Sequence, residues 1–136
     1  MVNFAGAEPD ARAGVRDGFD AIRTYPPGPC VGGNCDLDFT DGASRLQTRR
    51  WYPTAEFLPN GDIVSVGGSN VGLLVLNEAK INVPTYELIK VNGRRPAPVT
   101  LRILEFTEAE NNQSNKSYNL YPTPGFISYL VFAPEC

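Results

Sequence analysis

The stretch Phe57-Leu58-Pro59-Asn60-Gly61-Asp62-Ile63-Val64-Ser65-Val66-Gly67-Gly68 decides the fold. Asn60-Gly61 tolerates positive φ at both turn positions, which predicts a tight hairpin between the segments on either side. Ile63 to Val66 is its second strand, and the chain then meets Gly67-Gly68, where it can bend or pack closely. Two further strands follow downstream: Pro84-Thr85-Tyr86-Glu87-Leu88-Ile89, and Val99-Thr100-Leu101-Arg102-Ile103-Leu104-Glu105-Phe106. Both are rich in β-branched and aromatic residues, and Asn92-Gly93 supplies the turn between them. The order strand, turn, strand, double glycine, loop, strand, turn, strand makes one antiparallel meander.

The meander is part of a repeat. Val2-Asn3-Phe4-Ala5-Gly6-Ala7 recurs 62 residues on as Val64-Ser65-Val66-Gly67-Gly68-Ser69. Leu37-Asp38-Phe39-Thr40 recurs after 67 residues as Leu104-Glu105-Phe106-Thr107, and Trp51-Tyr52-Pro53-Thr54 after 69 as Leu120-Tyr121-Pro122-Thr123. A repeated four-stranded unit marked by a double glycine predicts an all-β chain built from kelch-like β-propeller blades. The pattern runs over 1–123, beginning inside the second strand of one blade, completing a blade from Tyr52 to Phe106 and opening a third at Leu120. Residues 124–136 depart from it. A ring needs roughly 4–8 blades, so the expectation is a fragment whose remaining blades are missing.

Composition narrows the functional classes. Of 136 residues 42% are hydrophobic and 20% charged, as in ordinary globular chains. The 13 glycines and 12 prolines favour many turns over a helical bundle. A formal charge of −3 gives no electrostatic case for a nucleic-acid partner. With no histidine, any mechanism within this chain that needs an imidazole is excluded. No apolar run is long enough for a membrane-spanning helix, and no secretory signal is visible after Met1. Asn112-Gln113-Ser114 and Asn115-Lys116-Ser117 are two glycosylation sequons in a polar stretch, Glu108 to Ser117, that reads as a surface loop.

Three cysteines leave one odd. Cys30 and Cys35 bracket Val-Gly-Gly-Asn, which can turn sharply enough for a local disulfide. The rival is half of a zinc site, disfavoured because histidine and a second close cysteine pair are missing. Asp36, Asp38 and Asp41 have the chemistry for a hard cation, but alternation through Leu37 and Phe39 makes a solvated strand face the simpler explanation. Arg49-Arg50 and Arg94-Arg95 read as charge pairs, solvated or matched by loop carboxylates.

Five segments in order carry a family resemblance: Arg50-Trp51-Tyr52-Pro53-Thr54, the Leu-Pro-Asn-Gly-Asp turn at 58–62, Val-Gly-Gly-Ser-Asn at 66–70, Pro84-Thr85-Tyr86-Glu87, and Asn119-Leu120-Tyr121-Pro122. Together they resemble the N-terminal propeller region of fungal glyoxal oxidases, secreted copper radical oxidases similar to galactose oxidase. The resemblance implies a seven-bladed propeller that oxidises small aldehydes or primary alcohols with O2 and releases H2O2. It implies a copper held by two histidines, an axial tyrosine and a radical tyrosine thioether-linked to a cysteine. Tyr52 matches the radical tyrosine; the cysteine partner, axial tyrosine and histidines have no counterpart in this chain. Cys30 and Cys35 fall on the wrong side of the blade pattern to replace the missing cysteine. The plain alternative for Tyr52 is an aromatic at a strand start, covering the next sheet. By itself the chain is expected to bind no copper and to be inactive, because one hard ligand does not hold Cu(II). A non-catalytic propeller-type interaction module is the alternative function, and an autonomous small β domain is disfavoured by its open sheet edges.

Overall fold

The computed structural model describes residues 2–5, 10–14, 18–24, 45–72, 76–110, 119, 120 and 122. Six strands and one helix follow in order: β1 Val2–Phe4, β2 Ile22–Thr24, β3 Thr54–Phe57, β4 Ile63–Val66, β5 Thr85–Ile89, β6 Val99–Thr100 and α1 Arg102–Glu110. β3-β4-β5-β6 form one four-stranded sheet, antiparallel throughout, and β1-β2 form an antiparallel pair. The all-β class and the meander are thus as read from the sequence.

Both hairpin turns use one device. Gly61 N–H donates to the Leu58 carbonyl and Gly93 N–H to the Lys90 carbonyl, at 2.9 Å in each case. Each turn is closed by a second bond, Leu58 N–H to Asp62 O and Lys90 N–H to Arg94 O. In each, an asparagine side chain accepts from the backbone two residues on: Asn60 from Asp62, Asn92 from Arg94, both at 3.0 Å. Positive φ falls on Gly61 and Gly93 alone, both at 84°, and not on the asparagines. The expected two-residue turn is therefore a three-residue loop, a type I turn followed by a left-handed glycine. Pro59 is pre-set for the first corner of the 58–62 turn, and Val91 takes the same corner in 90–94.

The strand expected over Val99–Phe106 ends at Thr100. Leu101 N–H still donates to Pro84 O, but Leu104 and Glu105 N–H both return to the Leu101 carbonyl and start α1. Alternating Val99, Leu101 and Ile103 mimics a strand, whereas Leu101 and Leu104, three apart, are the pair turned to the sheet. α1 also takes in Glu108–Glu110, expected to open a polar loop.

The repeat is written in hydrogen bonds. A shift of 62 residues along one strand and 64 along the other carries the β1-β2 pairs (Val2↔Thr24, Asn3↔Arg23, Phe4↔Ile22) onto the β4-β5 pairs Val64↔Leu88, Ser65↔Glu87 and Val66↔Tyr86. Ala5 N–H donates to Ala21 O as Gly67 N–H donates to Thr85 O. Ala5 and Gly67 share a left-handed φ, 52° and 67°. The bridge Ala21↔Arg45 with the bond Leu46 N–H to Asp20 O matches Thr85↔Thr100 with Leu101 N–H to Pro84 O. Leu37–Thr40, expected to match Leu104–Thr107, lie outside the described residues.

The two faces of the sheet bury different things. Ile63, Ser65, Glu87 and Ile89 point one way, and Ile63 and Ile89 pack with Ile22 and Leu46 of the first unit. Val64, Val66, Tyr86 and Leu88 point the other way, against Leu101 and Leu104. Each fully buried aliphatic side chain contributes about 1.5–3 kcal/mol by leaving water. No helix among the described residues is long and apolar enough to cross a membrane.

Candidate functional site around Tyr52

Tyr52 lies at a bend two residues before β3. Trp51 is pinned to Ser69 by reciprocal backbone bonds, Trp51 N–H to Ser69 O at 2.6 Å and Ser69 N–H to Trp51 O at 2.8 Å. The next residue, Tyr52, takes φ of 55°. A left-handed, non-glycine conformation costs on the order of 1–3 kcal/mol and persists only where its surroundings enforce it. Its ring folds back on the buried Trp51 indole, centroids 4.0 Å apart and planes 11° from parallel, and remains 46% exposed. Tyr52 thus stands just before β3 and not within it. It is a presented phenol with one face backed by an indole.

The enforcement comes from the double glycine and from Arg50. A Cβ on Gly68 would lie 3.0 Å from Trp51 O and 3.3 Å from Pro53 N, so only glycine lets the two backbones meet beside the bend. Arg50, wholly buried, reaches beneath it. Its Nε donates to Glu87 Oε1 at 2.8 Å, Nη1 to the carbonyls of Gly67 and Thr85 at 2.7 and 2.9 Å, and Nη2 to Thr85 Oγ1 at 2.8 Å. Glu87 Oε2 accepts the Gln47 backbone N–H at 2.7 Å. Burial pulls the Arg50 guanidinium below its usual pKa range, and the hydrogen bond and charge of Glu87 oppose that pull. Arg50 is thus no solvated loop charge; it ties the segment before Tyr52 to β4 and β5. Its neighbour Arg49 is exposed, with its guanidinium 4.9 Å from the centre of the Phe19 ring. The spacing of Glu87 between Thr85 and Ile89, with Ile89 in the core, was a usable signal that a carboxylate pointed inward and needed a cation.

Asn119 and Pro122 lie near this bend. Gly68 N–H donates to Asn119 O, and Thr54 Oγ1 donates to Pro122 O at 2.8 Å. A Cβ on Gly67 would collide with that Asn119 carbonyl.

Cys30, Cys35, Asp36, Asp38, Asp41, Asn112, Asn115 and Tyr121 lie outside the described residues. Among the described residues no three His, Cys, Asp or Glu side chains gather as a metal-binding group. Among the described residues Tyr52 is the one that the resemblance offers as a ligand, and the chain has no imidazole. Cu(II) prefers several N/O donors in a tetragonal array, and among the described residues no such set stands around Tyr52. Comparisons with protein-family models, with curated proteins and with solved structures find no match to this chain.

Proposed function

We propose that the chain is a stretch of a kelch-like β-propeller from a secreted copper radical oxidase of the glyoxal oxidase type, with Tyr52 at the radical-tyrosine position. The whole enzyme oxidises small aldehydes or primary alcohols with O2 to give H2O2; residues 1–136 alone are catalytically silent. The propeller part is supported by the tandem hydrogen-bond pattern of the two units and by the Asn119–Pro122 opening of a third. The observation that carries the site is the Tyr52 conformation, an exposed phenol held in a left-handed bend and stacked on Trp51. Backbone strain of this kind concentrates at functional sites. A half-exposed phenol stacked on an electron-rich ring suits a one-electron role. On this reading the protein is extracellular, in keeping with the sequons at Asn112 and Asn115.

Two measurements test it. The nucleotide sequence flanking the reading frame is expected to encode an upstream cysteine hairpin and downstream blades carrying histidines. Stop codons close on both sides, with the short chain produced as such, would remove the oxidase reading. Purified 1–136, loaded with copper and oxidised, is expected to release no peroxide from glyoxal or methylglyoxal; peroxide lost again in Tyr52→Phe would overturn the silence of the isolated chain.

A second reading, a non-catalytic interaction module that recruits further units, is favoured by the exposed apolar side chains of Phe57, Val91, Val99, Ile103 and Phe106. It predicts a defined multimer whose formation ignores copper.

A further inference from the structure

The chain has two Asn-Gly pairs, Asn60-Gly61 and Asn92-Gly93, each at the corner of a turn of the same build. A backbone amide attacks the preceding side-chain amide most easily at Asn-Gly, because glycine brings no Cβ to obstruct the approach. Both asparagines are exposed, and both glycine N–H groups are held at 2.9 Å by the carbonyl three residues back.

What differs is the grip on the asparagine side chain. Asn60 is held at both ends by one residue: Oδ1 accepts the Asp62 N–H at 3.0 Å, and Nδ2 donates to the Asp62 carboxylate at 2.9 Å. Asp62 is buried, and its carboxylate is fixed in turn by Lys90 Nζ and the Val91 N–H. The Asn60 amide cannot swing its carbon toward Gly61 N without giving up two bonds. The ladder pair Phe57↔Ile63 also closes directly behind this turn.

Asn92 is held less firmly. Its Oδ1 accepts the Arg94 N–H at 3.0 Å, and its Nδ2 has no partner among the described residues. Arg94 stands where the other turn has Asp62, is exposed, and has no acceptor to offer that Nδ2 from its side chain. Val91 to Arg94 are all exposed, and the ladder pair Tyr86↔Val99 lies four residues before Lys90 on β5. A Cβ on Gly93 would meet nothing within 4 Å, whereas one on Gly61 would meet Val91 Cγ2 at 3.9 Å, so a ring closing at Gly93 has open space.

We propose that Asn92 is a self-modification site and that Asn60 is protected from the same reaction by Asp62. The Gly93 nitrogen gives up its proton and bonds to Asn92 Cγ; the Cγ–Nδ2 bond breaks, and the amide nitrogen leaves as ammonia with that proton. Water then opens the succinimide at one carbonyl or the other, leaving aspartate or isoaspartate at 92. Aspartate keeps an oxygen for the Arg94 N–H and sets a new carboxylate beside Arg94 and Arg95. Isoaspartate adds a carbon to the main chain and shifts the Lys90–Arg94 closing bond out of place. The inference is independent of the oxidase reading.

The full chain, held warm at mildly alkaline pH with and without concentrated guanidinium chloride, tests this. Mass spectrometry of the peptides carrying residues 60 and 92 reads the amide-to-acid mass gain and the isoaspartate formed. In the folded chain conversion at 92 is expected to run severalfold faster than at 60, and in denaturant the two rates are expected to converge. Asp62→Ala, with hydrogen exchange of β4 and β5 reporting that the sheet persists, is expected to bring position 60 up toward 92. Equal rates at 60 and 92 in the folded parent would overturn the proposal. So would a ratio unchanged by denaturant, which would assign the difference to neighbouring sequence and not to the turn. A folded Asp62→Ala chain in which 60 lags as in the parent would remove the protecting role of Asp62, and where that variant does not fold the parent comparison decides.

Discussion

The two faces of the β3–β6 sheet are covered by different chemistry. One face meets the first unit through Ile63 and Ile89, with the buried Arg50–Glu87 pair set beside them. The other meets α1 through aliphatic side chains. An aliphatic contact is non-directional and tolerates sliding, whereas a guanidinium with four donor contacts to Glu87, Gly67 and Thr85 has one geometry. The face that meets the first unit therefore has the directional contact, and the face under α1 does without one. That difference can be broken by substitution, and the largest effect is expected at Arg50.

Arg50→Ala strands Glu87 in the core and removes the donors from the Gly67 and Thr85 carbonyls. Deleting one partner of a buried ion pair costs about 3–5 kcal/mol. Urea unfolding of the variant is expected to show a loss in that range, and Arg50→Met combined with Glu87→Leu is expected to recover most of it. A loss below about 1 kcal/mol, the level of an exposed pair, would mean that the face is not organised by the guanidinium.

The next effect in size tests the repeat itself. Ala5 and Gly67 hold equivalent places with left-handed φ, yet only Gly67 is met by the carbonyl of Asn119 where a Cβ would stand. Gly67→Ala is expected to destabilise by roughly 2 kcal/mol, summing backbone strain and the shift forced on residues 119–122. Ala5→Gly relieves strain but loosens the unfolded chain, so its change is expected to be small. Equal effects at both positions in thermal melts would dissolve the distinction between the two units.

Much of this was readable beforehand, and what was not has a physical cause. The β3-β4 and β5 strands follow from glycine turns bracketing β-branched runs, because local chemistry decides them. The 62-residue repeat was visible because Val-Asn-Phe-Ala-Gly and Val-Ser-Val-Gly-Gly share alternation and a glycine in fifth place; that Ala5 and Gly67 share a left-handed φ emerges only in the fold. α1 was not, since Val99 to Phe106 satisfies both periods and only packing of Leu104 on Val64 and Val66 chooses the helix. Tyr52 was singled out by resemblance alone. Its bend and stack arise from contacts with Ser69 and Gly68, some sixteen residues away, which no local pattern encodes. Arg50 looked like half of a surface charge pair because adjacent arginines give no hint that one points inward.

The smallest expected effect separates the hairpin end of the sheet from both faces. Asp62 joins the two like-built turns: its carboxylate accepts from Lys90 Nζ at 2.8 Å, from the Val91 backbone N–H at 2.9 Å and from Asn60 Nδ2 at 2.9 Å. Led by the Lys90 hydrogen bond, these contacts hold its pKa below the ordinary 3.8, against the opposing effect of burial. A carboxylate depressed in the folded state binds protons more weakly there than in the unfolded chain. Its contribution is therefore complete above the ordinary carboxylate range and disappears as pH falls through that range to the folded value. Asp62→Asn keeps the size and removes the charge, so its stability gap from the parent is expected to be widest near neutrality and to close in acid. Because Lys90 is a third exposed, salt should narrow the gap as well. Denaturant titrations of both proteins across acid pH check this, and a gap that stays constant into strong acid would show that Asp62 acts by shape and not by charge. In that case the two turns are joined by geometry alone, and among the described residues the ionic contact that organises the sheet is the buried Arg50–Glu87 pair.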